Sequence, residues 1–233
     1  MDMPFKSPLV VGYKGEIGSF LLHCLLVNMP KALHIWCFDT SETEKEKRVR
    51  IKAADIIFLC VPICETIPWL IKYKKILAGK KIVEQCSLKG RFVDHRIESL
   101  DIFHMHLLFK PSGTPDPNDR RCVFIEGQFH ENPRLVMALC EMTKSKNILF
   151  PTLAEHDRSM AIQQTLVHRV ILSLNELIMK QPGQTYIGGQ VNKLANRIFR
   201  MDKDLFNEIQ KNGSAELITQ AFKGMLNGPI IRS

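Results

Sequence analysis

The sequence predicts an α/β fold, a Rossmann-type dinucleotide-binding domain followed by a smaller all-helical domain, on three observations. Short β-branched and apolar runs alternate with helical spacing through the first two thirds of the chain; parallel strands covered on both faces produce such runs. Glycines stand at 12, 15 and 18, between the first apolar run and the first helical stretch. That is where a glycine loop hands a strand on to a helix N-terminus. After Pro151 the spacing is helical almost throughout. The predicted boundaries are therefore 1–151 for the first domain and 152–233 for the second.

The elements follow in order. Residues 8–11 read as a strand, Glu16 to Met29 as a helix, and Ala32 to Phe38 as a second strand ending at Asp39, with a charged stretch after it. Asp55 to Val61 (DIIFLCV) is a near-continuous apolar run. Lys81 to Cys86 (KIVEQC) repeats it after a helical segment at 65–78. Strands alternating with helices imply right-handed crossovers and a parallel sheet. Further strands are predicted at 102–109, 122–126 and 146–150, with a helix at 133–143. PSGTPDPNDRR, 111–121, is too rich in turn formers to be regular and reads as a lid segment. In the second domain the helical spacing runs from Glu155 to Lys180, breaks from Gln181 to Gly189, and resumes over 190–200, 202–211 and 214–226.

Composition narrows the class. A chain of 233 residues with 45% hydrophobic content can bury a sizeable core. It has no apolar run near the roughly 20 residues of a membrane span, and no basic, cleavable start. A soluble, cytoplasmic protein is expected. Seven cysteines, an odd number without a CxxC pair, read as reduced thiols. Cys60 and Cys64 lack a second ligand pair at zinc spacing, so no metal is predicted. The formal charge of +8 favours anionic partners. Its spread along the chain, without interleaved aromatics, speaks for a small anionic substrate rather than nucleic acid.

The glycine loop and its surroundings form the predicted cofactor site: Gly12, Tyr13, Lys14, Gly15, Glu16, Ile17 and Gly18, with Val61 and Pro62 at the end of the third strand. A GxGxxG pattern would begin at position 13, which is Tyr. Asp39 ends the second strand about 20 residues beyond the loop, where an acid binds the ribose 2′-hydroxyl of NAD and repels the 2′-phosphate of NADP. NAD is the cofactor predicted. In the second domain Asp157, Ala161, Gln164 and His168 are spaced to share one helical face.

Six stretches in the right order, covering about residues 8–212, resemble the prephenate dehydrogenase family, and most closely the form fused to chorismate mutase. VGYKGEIGSF is similar to that branch's VGGxGxxG, DIIFLCVPI to its third-strand end, and CSLKG to its TSVK segment. HMHLLFKP falls where the family has GxHPMFGP. EHDRSMAIQQTLVH is similar to EHDxxMAxxQxLxH, and NRIFRMDKDLFNEI to GRxFxxDPxLYxDI.

The resemblance implies an NAD-dependent oxidation of prephenate to 4-hydroxyphenylpyruvate with loss of the ring carboxylate, a step of tyrosine biosynthesis. It places His106 at the 4-hydroxyl and Ser87 beside it. Gln164 and His168 approach the substrate, and Arg197 grips the side-chain carboxylate as a guanidinium fork can. His156 and Asp157 help to join the domains, and the helical domain forms a homodimer. Each residue also has a plainer reading: His106 as a packed strand histidine, Ser87 as a helix cap, His168 as a buried satisfied histidine, Arg197 as a surface arginine, and Lys89 as structural or exposed. The chain departs from the family at Tyr13, Leu107, Lys110, Asn196 and Lys203, and it ends earlier than the fused enzymes. Those departures leave open a related substrate such as arogenate, or a nucleotide-binding homologue without catalysis.

Overall fold

A computed structural model of the chain describes residues 3–29, 34–113, 116–181, 183, 185–201 and 203–226. It divides into two compact units, Met1–Leu153 and Ala154–Ser233.

The first unit is a seven-stranded sheet: β1 (Pro8–Val11), β2 (Trp36–Phe38), β3 (Ile56–Leu59), β4 (Lys81–Glu84), β5 (Asp101–Leu107), β6 (Arg121–Ile125) and β7 (Lys146–Phe150). The spatial order is β2-β1-β3-β4-β5-β6-β7. Every residue of β1 and β3 is buried, which accounts for the unbroken apolar runs there. Because the chain leaves β1 for β2 on one side and returns for β3 on the other, the order reverses between β1 and β3. Open α/β sheets bind ligands at such a crevice.

Helices cover both faces. On one, α1 (Glu16–Asn28) and a later helix, Pro133–Thr143, pack Leu21, Leu25, Leu135 and Leu139 against Val10, Phe58 and Phe124. On the other, helices Glu44–Ala53 and Ile63–Leu77 set Ile51, Leu70, Tyr73 and Leu77 against Leu9, Ile57 and Ile82. In chain order these are α2 (Glu44–Ala53), α3 (Ile63–Leu77), α4 (Glu126–Glu131) and α5 (Pro133–Thr143).

Several elements differ from the sequence reading. β2 begins at Trp36, and Ala32 and Leu33 lie outside the described residues. The charged stretch holds α2, which buries a single side chain, Ile51. A capping box starts it: Thr43 accepts from the Glu46 amide while Glu46 accepts from the Thr43 amide at 2.8 Å. That device satisfies orphan amides at a helix start and needs no amphipathic face.

β6 runs antiparallel to β5, against the expectation of a parallel sheet. Among its described residues the segment joining them carries a 3-10 turn at Pro117–Asp119 capped by Asp116 and no crossover helix, and antiparallel neighbours need none. Thr114 and Pro115 of the expected lid segment lie outside the described residues. α4 was not foreseen either. Its Gln128 side chain accepts from the His104 amide at 2.9 Å and donates to the Ile102 carbonyl at 2.6 Å, completing the edge of β5 that β6 leaves bare.

The second unit is helical: α6 (Leu153–Met160), a π-helical turn (Ala161–Leu166), α7 (Val167–Met179), α8 (Tyr186–Phe199), α9 (Lys203–Gln210) and α10 (Ala215–Leu226). The expected break from 181 to 189 ends early because Thr185 caps α8, its hydroxyl accepting from the Gly188 amide at 3.1 Å. Asp202 and residues 227–233 lie outside the described residues. α9 and α10 pack on the π turn. Thr165 donates to the Ile209 carbonyl at 2.8 Å, and Arg169 reaches Gln210 and Thr219, each at 3.0 Å. Among the described residues no helix is long and apolar enough to cross a membrane.

Candidate active site

At the reversal of strand order the backbone makes a cradle. Gly12 follows β1 with φ +78°, a conformation that side chains resist. Its amide donates to the Phe38 carbonyl at 2.9 Å, and a Cβ there would stand 2.4 Å from the Cys60 carbonyl oxygen beyond β3. Gly15 is the N-cap of α1, its amide donating to the Gly12 carbonyl at 3.1 Å. A Cβ on Gly18 would fall 2.1 Å from that same carbonyl oxygen.

The glycines thus bring strand end, loop and helix start within backbone contact, and the first amides of α1, like those of any helix, have no acceptor within it. Gly18→Ala is expected to destabilise the first unit by about 1–3 kcal/mol, the range for forced overpacking, read as a lower urea midpoint at unchanged slope. An unaltered midpoint would contradict the close approach.

Tyr13 replaces a glycine of the family pattern without strain. Its φ is negative, and it packs with Ile17 against the α1 side of the core. Val61 packs on the opposite core, and the exposed Pro62 is the N-cap of α3.

Asp39 lies beside this loop, accepting from the Thr40 amide at 2.8 Å and from the Lys14 amide at 3.0 Å. Burial raises its pKa, but those amides and the Lys14 charge outweigh it and hold the carboxyl below its usual range. A second acid, missed in the sequence, stands with it. Glu42 accepts from the Asp39 amide at 2.8 Å and the Ser41 hydroxyl at 3.1 Å, and Lys14 donates to Ser41 at 2.9 Å.

Glu16 opens α1, and the segment after β5 is fastened to it. Ser112 donates from its amide at 3.0 Å and from its hydroxyl at 2.6 Å, and the Lys110 ammonium lies at 3.5 Å. The lysine that departs from the family pattern therefore turns to the helix start.

Ser87 and His106 belong to the same edge of the sheet. Ser87 is half-buried just past β4, and His106 is the penultimate residue of β5, 5% exposed and paired with Val123. Ser87 caps no helix; the 3-10 turn Gly90–Phe92 starts later, behind Lys89. Of the two readings of Lys89, structural or exposed, the structure shows the first: it is buried and pairs with Glu84, itself 0% exposed. His104, two residues before His106 and so on its face of the strand, sets Nδ1 2.8 Å from the same Glu84 oxygen. Beside Ser87, both amide atoms of Gln85 are buried without a partner, a feature that no sequence pattern announces. Burial pushes the Cys86 thiol up to about 12, so it is inert as a nucleophile.

In the second unit Gln164 sits inside the π turn, so the shared face argued from regular helical spacing does not hold as stated: a π turn resets the register. Gln164 Oε1 and His168 Nδ1 are both buried and unpartnered. Burial lowers the His168 pKa, and its ring stacks on Phe206 at 6.1 Å. Asp157 meets His156 at 2.9 Å, and its carbonyl accepts from the buried Asn212 at 2.7 Å. Arg197 is exposed in the last turn of α8 and makes no ion pair among the described residues.

Sheet, reversal point and glycine cradle together define a Rossmann-like α/β protein with an appended helical unit. No protein-family model and no curated protein matches the sequence. Solved structures do match. A Synechocystis arogenate dehydrogenase superposes with TM-score 0.69 at 18% identity, over 95% of this chain and 89% of that one. Prephenate dehydrogenase from Aquifex aeolicus gives 0.65 at 18% identity, over 94% and 89%. A semialdehyde dehydrogenase NAD-binding protein from Cupriavidus necator, in complex with calcium and NAD, gives 0.56 at 14%, over 98% and 92%. The chain has the fold of the arogenate and prephenate dehydrogenases.

Proposed function

We propose that the chain is an NAD-dependent dehydrogenase acting on a cyclohexadienol carboxylate, prephenate or its amino counterpart arogenate. One observation carries this reading. The glycine cradle after β1, the Cys60–Pro62 turn after β3, Ser87 after β4 and His106 at the end of β5 all lie at the carboxyl edge of the parallel strands, where ligands of such sheets bind.

Gly12, Gly15 and Gly18 would admit a pyrophosphate to the amides of α1, and Asp39 would take a ribose hydroxyl. NAD, when bound, supplies the hydride acceptor. His106 takes the ring-hydroxyl proton as the C–H pair leaves the same carbon as hydride, and returns it to the ring oxygen once the carboxylate has left. The pair of the ring carboxylate bond then flows into the ring, releasing carbon dioxide and leaving a phenol. Ser87 orients the hydroxyl; Gln164 and His168 line the substrate, and Arg197 takes its side-chain carboxylate.

The test is NADH formation from prephenate and from arogenate, with NAD and NADP supplied separately. Turnover with NAD, and loss of the preference over NADP in Asp39→Ala, is the expected result. Silence with both substrates in a chain that binds NADH would refute the reaction.

The helical unit serves as a dimer contact in this reading. No side chain of α7 is fully buried, and Leu177 and Phe199 are 60% and 66% exposed. Apolar surface of this kind is normally covered by a partner. Light scattering should give twice the chain mass, and the Leu177→Lys/Phe199→Lys variant the single mass. A wild-type monomer would refute it.

A further inference from the structure

We infer that Lys89, with Glu84, is a positioning pair that holds His106 and Ser87 in register; the inference rests on the roles proposed above for those two residues. The pairing of β4 with β5 stops at Glu84 and His104, while β5 continues to Leu107. Met105, one residue past the last pair, carries the carbonyl whose peptide delivers the amide of His106. That carbonyl accepts from the Lys89 ammonium at 2.8 Å. A side chain thus takes over where the neighbouring strand ends.

The same ammonium bonds to Glu84 Oε1, and the other Glu84 oxygen accepts from the Cys86 amide at 2.7 Å. Glu84 and Lys89 therefore close the turn that contains Ser87 from both ends. One charge pair fixes the Ser87 turn and the His106 peptide to each other. His104 shares the same carboxylate oxygen, and Phe92 packs edge-on against its ring at 5.0 Å.

Against apolar groups of equal volume a buried ion pair is often no more stable. Its value here is geometric. An error of about 1 Å at a reacting group can cost about 100-fold in rate.

The test is the full-length double variant Glu84→Gln/Lys89→Met, which removes both charges together and leaves no buried ion unpaired. Three quantities are read: NADH affinity, the Cε1–Hε1 NMR cross-peak of His106 assigned by its loss in His106→Asn, and steady-state kinetics. The expected result is unchanged NADH affinity, a displaced and broadened His106 cross-peak, and kcat lowered about 100-fold at unchanged KM.

A His106 cross-peak superimposed on that of the wild type overturns the inference, whatever kcat does. So does joint loss of NADH binding and all dispersed cross-peaks, which marks a general folding role. If the wild type turns over neither prephenate nor arogenate, the reaction fails while the cross-peak still decides the positioning.

Discussion

Glu84→Gln is expected to destabilise the first unit by about 3–5 kcal/mol at neutral pH, the penalty for leaving a buried partner charge uncompensated. Lys89 is 1% exposed and would keep its hydrogen bond to Met105 but lose its counter-ion. Burial raises the Glu84 pKa, yet the adjacent Lys89 charge and the His104 bond prevail and hold it below 4.5 in the folded chain. A carboxylate depressed in the folded state contributes stability that is complete above its unfolded value and vanishes as pH falls through the folded one. The gap between wild type and variant, measured by urea unfolding, should therefore be full at neutral pH and shrink under acid conditions below 4.5. A gap independent of pH would contradict the charged pair.

His106→Asn should lower kcat by about 100- to 10,000-fold, the span for removing a general base, with NADH affinity unchanged. His106 lies on β5, away from the cradle after β1, and asparagine keeps a polar side chain without an imidazole's proton affinity. Equal loss of NADH affinity would place His106 in the fold rather than the chemistry. Arg197→Lys gives the complementary signature. A rise in KM with little change in kcat is what loss of a carboxylate fork predicts.

What the sequence disclosed follows from what periodicity encodes. Helix α5 and strand β7 match their predicted bounds because one apolar face or one run specifies each. α2 escaped notice because its signal is a threonine and a glutamate three apart at 43 and 46, in a stretch whose apolar content is minimal. Strand direction is invisible to periodicity, so the reversal at β6 was missed. Of the candidate site, the glycine cradle and Asp39 were legible, since their spacing is set by backbone contact. Lys89 was legible only as structural or exposed. Its burial depends on an acid five residues earlier and on a carbonyl sixteen residues later, and only the fold brings them together. Gln85 and the orphan atoms of Gln164 and His168 show the same limit: an unpartnered group is a property of its surroundings.

The most direct test of the central claim is isotopic. Prephenate or arogenate carrying deuterium on the hydroxyl-bearing ring carbon, incubated with the chain and NAD, should yield NADH deuterated at the nicotinamide together with equimolar carbon dioxide. Decarboxylation without label on the nicotinamide, or no consumption of either substrate by a chain that binds NADH, would contradict it.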